Sequence, residues 1–274
     1  MNETLTLSRQ RLQTFLICQR RFQLRYLKRL PWPESPLSRE AEAAVERGQR
    51  FHQLLERHFL GLPLAIDATE DAELQRWWIL FAQSGPALPA GRALAELSLT
   101  VPIGRHLLTG RFDLLVIGED ESGQPFAHVF DWKTSRPPEE GQLPQDWQTR
   151  LYLALLAEGG RALSPANRAP GPDHIAMTYW YVTDPAAPRT IRYSQAWHTQ
   201  NWAEIEALVA RIDAQLATGD WPLTDNWDHC RHCAYQAYCG RQAAGQASPL
   251  VTETEYSDAE PDSEVEDWLE PELP

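Results

Sequence analysis

Residues 126 to 135 read "FAHVFDWKTS": an apolar run, Phe126 to Phe130, that ends on an acid and a lysine two residues apart. The run has the length and composition of a buried strand. Strand side chains alternate between faces, so Asp131 and Lys133 share one face and Trp132 takes the other. An isolated D-x-K triplet is more often a surface ion pair. The upstream segment "HLLTGRFDLLVIG" (106–118) bears on that choice, because it sets Asp113 in a strand among Leu and Val. A carboxylate there is costly unless it is paired or bound to a cation. If the two strands are neighbours in one sheet, both carboxylates converge on one divalent ion. A few hard oxygen ligands, with water completing the shell, suit Mg2+ or Mn2+. Lys133 would then orient or deprotonate a water and neutralise a phosphate.

Outward from this pair, the hydrophobic period predicts an α/β chain. "LSRQRLQTFLICQRRFQLRYL" places Leu12, Phe15, Leu16, Phe22 and Tyr26 at helical intervals, with Ser8 as N-cap. The Pro-rich "LPWPESP" breaks that helix, a second runs from about Ser38 to Phe59, and "DAELQRWWILFAQ" forms a third. "ALAELSLTVPI" precedes the two strands above as a third member of a β-meander. A helix from about Pro144 to Ala157 follows, then the strand pair "IAMTYWYV" and "TIRYS", then the long helix "NWAEIEALVARIDAQLATG". Neither type of Gly-rich phosphate loop is present. The expected divisions are a helical region at 1–90, an α/β core at 91–225, a cysteine cluster at 226–245 and a tail at 246–274.

The formal charge of −13 on 274 residues speaks against nucleic acid until it is divided along the chain. Ten acids and no Lys or Arg lie between Val251 and Pro274; without those ten the remainder carries −3. That tail reads as disordered, or as a docking segment for a protein partner through "VEDWLEPEL". Residues 4–33, by contrast, hold Arg9, Arg11, Arg20, Arg21, Arg25, Lys28 and Arg29 and no acid, a segment able to track phosphates or simply to be a solvated helix face. No run has the length of a membrane span and no signal peptide is evident, so a cytoplasmic address and no membrane partner are expected. Cys18 stands alone, whereas Cys230, Cys233 and Cys239 form "CRHCAYQAYC", a spacing that reads as metal or cluster ligation rather than disulfides.

"GRFD" in one strand, "DWK" in the next and "QTRLY" in the following helix resemble the PD-(D/E)xK nuclease superfamily, and within it the RecB-like branch, whose helix motif Q-x-x-x-Y is matched by Gln148 and Tyr152. "GQRFHQLLE" supplies His52 where that branch carries an extra metal ligand. One cysteine before the core and three after it resemble the members that hold a 4Fe–4S cluster, such as AddB-type helicase–nuclease subunits and the RecB-like exonucleases of CRISPR adaptation. The resemblance spans about residues 8 to 240. It implies a restriction-endonuclease-like core, a mixed central sheet flanked by helices, with an N-terminal helical addition and a cluster that staples the two ends. It also implies a Mg2+- or Mn2+-dependent nuclease acting on single-stranded DNA or DNA ends, in repair, recombination or CRISPR adaptation. His52, Asp113, Asp131 and the Trp132 carbonyl would hold the cation. Lys133, Gln148 and Tyr152 would serve the reaction, and Cys18, Cys230, Cys233 and Cys239 the cluster. Zinc on the four thiolates remains open, as does a non-catalytic DNA-binding or scaffold subunit of the same fold.

Overall fold

The computed structural model describes residues 4–31, 38–64, 66, 71–139, 141–164, 167–231 and 233–244. The Pro-rich connector beyond Pro31, His232 and the acidic tail lie outside them. The strands are β1 (Thr6–Leu7), β2 (Arg92–Ile103), β3 (His106–Glu119), β4 (Pro125–Lys133), β5 (Ile175–Tyr181) and β6 (Arg189–Arg192). They form one mixed sheet. β3 pairs antiparallel with β2 and β4, β4 pairs parallel with β5, and β5 pairs antiparallel with β6. A parallel pair needs a long crossover, and α5 (Trp147–Gly159) provides it. The remaining helices are α1 (Arg9–Ile17), α2 (Gln19–Phe22), α3 (Arg39–Phe59), α4 (Ala72–Ser84), α6 (Gln195–Thr218) and two single turns, α7 (Asp228–Arg231) and α8 (Gln236–Cys239).

Each face of the sheet has its own core. α5, α6 and the N-terminal segment cover one, with Leu12, Phe15 and Phe22 packed into the same cluster as Leu108, Phe112, Leu151 and Ile205. α3 and α4 cover the other through Phe51, Leu55, Trp77 and Phe81, which meet Leu114, Phe130, Trp132 and Trp180. Burial of each such side chain contributes about 1.5–3 kcal/mol. This three-layer α/β/α arrangement is the mixed sheet flanked by helices that the sequence implies.

Two local features differ from expectation. The first helix does not run through: α1 ends at Cys18, which is extended (φ −162°, ψ 114°), and the chain restarts as α2 and a π-turn over Gln23–Leu27. Past the break Phe22 is buried; before it, within α1, Leu16, placed on the apolar stripe by periodicity, is 40% exposed while Leu12 and Phe15 are buried. The second is β1, a two-residue strand pairing parallel with Leu107 and Leu108 of β3. It is too short to carry a periodic signal.

β1 marks a fork. β2 occupies one whole edge of β3, so β4 and β1 share the other. The β3–β4 ladder ends at the pair Leu114–Phe130. Asp113 and Asp131 are the next residues, where the strands part. α5 closes over the opposite face, and Gly110 of β3 admits it: a Cβ there would lie 2.8 Å from Leu155 and 2.9 Å from Tyr152. Gly110→Ala is therefore expected to displace α5 and to lower stability by about 1–3 kcal/mol in urea unfolding. A stability equal to that of the parent chain would show that α5 yields without cost.

Candidate active site

Two sets of side chains meet at the fork. The first joins α3, β2 and β3. Ser38 caps α3 by accepting from the Ala41 N–H, and the helix lays Phe51, Leu54 and Leu55 on the sheet. His52, beside that stripe, reaches Asp113, with Nδ1 3.4 Å from Oδ2. Glu96 of β2 lies in register opposite Asp113, since Ala95 pairs with Leu114 and Leu97 with Phe112. Ligand atoms of His52, Glu96 and Asp113 all lie within 4.8 Å of one another, the only such group of three or more among the described residues.

The pleat slips at this register position. Phe112 and Leu115, three residues apart, pack in the same core, and so do Leu94 and Leu97 on β2. Strict alternation would place each pair on opposite faces. Glu96 takes the slip in the left-handed region, at φ +50°. A non-glycine residue held there stores about 1–3 kcal/mol of strain, a feature that gathers at functional sites. Glu96→Gly is accordingly expected to raise the melting temperature in EDTA while weakening Mn2+ binding in calorimetry. Equal Mn2+ affinity would remove Glu96 from the cation set.

The electrostatics of this group are those of buried charges held against one another. Burial favours the neutral imidazole of His52, but Asp113 overrides it and holds the group at about 9. Burial, then the neighbouring Asp113, pushes Glu96 up to about 7 against the pull of Arg111, whose Nε lies 2.6 Å from it. Burial also works to raise Asp113, yet His52, Lys133 and the Trp132 N–H, which donates to Oδ2 at 2.9 Å, keep it below the usual carboxylate range. The Nε2 atom of His52 is buried without a hydrogen-bond partner.

The second set joins β4 and α5. Asp146 caps α5 by accepting from the Gln148 N–H at 2.7 Å, which aims the Gln148 side chain at β4. Gln148 Nε2 donates to Asp131 Oδ1 at 2.7 Å, and Lys133 Nζ donates to Gln148 Oε1 at 3.1 Å. Lys133 Nζ also lies 3.0 Å from Asp131 Oδ2 and 6.0 Å from the Tyr179 ring centroid. All three polar side chains are buried. They form a closed triangle of carboxylate, ammonium and amide, which fixes the ammonium beside the fork.

The sequence paired Asp113 with Asp131 and His52; the structure brings Asp113 together with His52 and Glu96, and Asp131 together with Lys133 and Gln148. Trp132 links the two through its N–H, its ring lying in the α3/α4 core. Tyr152 packs edge-on to Phe112 at 4.9 Å, one turn from Gln148. Glu96, which the sequence leaves open between lining the same pocket and facing solvent from the first strand, stands in the first set.

Away from the fork, Cys18, Cys230, Cys233 and Cys239 line one small cavity together with Arg21 and Arg241. No three of their sulfurs close to within 4.8 Å of one another. Burial raises the Cys233 and Cys239 thiols, opposed by Arg21 at the first and Arg20 at the second.

Comparison with known proteins agrees with this architecture. A solved structure from Eubacterium rectale, described as a "Putative exonuclease", aligns with a TM-score of 0.51 at 11% identity, over 83% of this chain and 87% of that one. The protein SSO0001 aligns at 15% identity over 86% of each chain, with a TM-score of 0.35. No curated protein sequence gives a match. No helix among the described residues is long and apolar enough to cross a membrane. The sequence profile of the PD-(D/E)XK nuclease superfamily matches residues 6–240, and the chain belongs to that superfamily.

Proposed function

We propose that the protein is a Mg2+- or Mn2+-dependent DNA nuclease, an exonuclease on single strands or DNA ends, of the kind that repair, recombination or CRISPR adaptation requires. The carrying observation is the meeting at one fork of His52–Glu96–Asp113 with Asp131–Lys133–Gln148. The donors fit a hard divalent ion: two carboxylates that repel each other and an imidazole with a buried, unpartnered Nε2. His52, Glu96 and Asp113 would hold it, joined by Asp131 and the Trp132 carbonyl from the adjoining strand. Such an ion supplies Lewis acidity toward the scissile phosphate and makes water a competent nucleophile near neutral pH.

The chain's own residues do the rest. Lys133 presents a fixed ammonium to a phosphate oxygen or to the attacking water, and Gln148 holds it in place, so little reorganisation accompanies charge development. Tyr179, Trp132 and the α5 face lower the local dielectric and strengthen that interaction. Water adds to phosphorus as the bond to one ester oxygen breaks, leaving a phosphate monoester and a hydroxyl end. Incubation of an end-labelled single-stranded oligonucleotide with Mn2+ or Mg2+ should give progressive shortening that EDTA stops. An intact oligonucleotide with either ion would sink the proposal and favour the scaffold reading.

The same reading assigns a 4Fe–4S cluster to the four cysteines. Tetrahedral zinc with Zn–S bonds of about 2.3 Å draws its sulfurs to about 3.8 Å of one another. A cubane instead spreads its thiolates over four irons, and the four cysteines line one cavity with Arg21 and Arg241, whose charges suit an anionic cluster.

A further inference from the structure

A groove of about 660 Å3 runs beside the fork, between the first turns of α3, α4 and the ends of β4 and β5. It lies along α3, the helix that carries His52. A Cβ at Gly48 would lie 3.5 Å from Thr134 Oγ1, so the helix closes on the residue after Lys133, and His52 follows one turn later.

Three arginines line the groove, and they are not equivalent. Arg47 is held by Asp71, its Nε 3.1 and 2.9 Å from the two carboxylate oxygens, and lies 5.8 Å from the Trp77 ring centroid. The one lining acid, Glu73, accepts from Trp77 Nε1 at 3.0 Å. Arg76 and Arg136 are exposed, and among the described residues no acid pairs with either. Uncompensated cations facing a groove are unusual in a chain of formal charge −13. The N-terminal basic stretch is engaged elsewhere: Arg11 donates to the Thr6 carbonyl and lies over Tyr26, Arg20 donates to Gln23, and Arg21 borders the cysteines.

We propose that this groove carries the phosphodiester backbone of a single nucleic-acid strand toward the fork, with Arg76 and Arg136 on successive phosphates and Arg47 as a fixed wall. The inference rests on the nuclease reading and adds the strand's path to it. Its two exposed guanidiniums supply the phosphate contacts that a nucleic-acid backbone requires.

The test is the full chain carrying Arg76→Glu and Arg136→Glu, both exposed positions, beside Arg161→Glu as a control outside the groove. Binding of a fluorescent oligothymidylate is read by anisotropy in EDTA across a salt series. Hydrolysis of bis(p-nitrophenyl) phosphate, a diester too small to need the groove, is read in Mn2+. The double variant should bind roughly tenfold or more weakly near 0.1 M salt, with the slope of log affinity against log salt reduced by about 1.4, some 0.7 per lost contact. Arg161→Glu and small-diester turnover should be unchanged. Unchanged affinity and slope in a folded double variant would overturn the proposal, as would an equal loss of affinity for blunt duplex. If the parent chain cleaves neither substrate, the nuclease reading fails while the binding arms still report on the groove.

Discussion

Asp113→Asn is expected to reduce Mn2+-dependent cleavage by at least about a thousandfold, on the order of 4 kcal/mol of transition-state stabilisation. The substitution is chosen for what it leaves intact. An amide at this position still accepts from the Trp132 N–H, now 2.9 Å from Oδ2, so the tie between β3 and β4 survives. What goes is the charge that His52 faces and that would hold the cation. Asp131→Asn should have a similar effect, because it keeps an acceptor for Gln148 while removing the charge beside Lys133. Lys133→Met leaves Asp131, 1% exposed, without its cation, as Asp131→Asn leaves Lys133 without its carboxylate, and breaking a buried pair costs about 3–5 kcal/mol of stability. Activity lost in either variant is to be read beside its melting curve. Parent-level Mn2+-dependent turnover in folded Asp113→Asn would place the chemistry elsewhere in the molecule.

The legible and the hidden parts of this site divide along physical lines. Asp113, Asp131 and Lys133 stand out because a charge inside an apolar run violates the composition of a buried strand. Gln148 follows only from the resemblance of Q-x-x-x-Y beside the two acids and the lysine, since its helical spacing to Tyr152 is unremarkable alone; the Asp146 cap that aims it is seen in the structure. Glu96 stays open between pocket and solvent because its role depends on a slip in the pleat. Along "ALAELSLTVPI" the residue alternates as an ordinary strand position would, and only the pairing with Asp113 and a φ of +50° turn it into the cluster. The fork itself was equally out of reach. Periodicity announces β2, β3 and β4 as a meander, but a two-residue β1 that takes over the edge of β3 and opens the fork leaves no pattern. Cys18 is the intermediate case. Its spacing to the later cysteines signals ligation, while the apolar stripe on either side of it signals one continuous helix, and the break that turns it into the cavity overrides that stripe.

Cys18→Ser is expected to yield anaerobically purified protein without the brown colour and without the roughly four irons per chain that a cubane on four thiolates requires. Ser preserves the volume at the α1 break but offers no thiolate, and Cys18 is the only N-terminal member of the set. Stability should fall unevenly. The two ends of the chain also meet without the cysteines: Trp221 stacks on Phe22 at 5.8 Å, the Arg20 N–H donates to the Pro222 carbonyl, and Tyr235 donates to the Leu30 carbonyl. Trp221 and Pro222 anchor the chain up to that point on the main core, so the sheet and the fork should persist, while the segment past them is tied through Tyr235 and His229, which meet the Leu30 and Ile17 carbonyls. Beyond them, α7 and α8 are four-residue turns, too short to stand without an external constraint. Because binding energy at such a site is folding energy, its loss should fall there, several kcal/mol confined to 226–244. Limited proteolysis should therefore cut Cys18→Ser first within that segment, while small-diester turnover in Mn2+ falls far less than in Asp113→Asn. Full iron content in Cys18→Ser would remove this cysteine from the ligand set, and stoichiometric zinc without iron in the parent protein would replace the cubane by a tetrahedral site that draws the four sulfurs together.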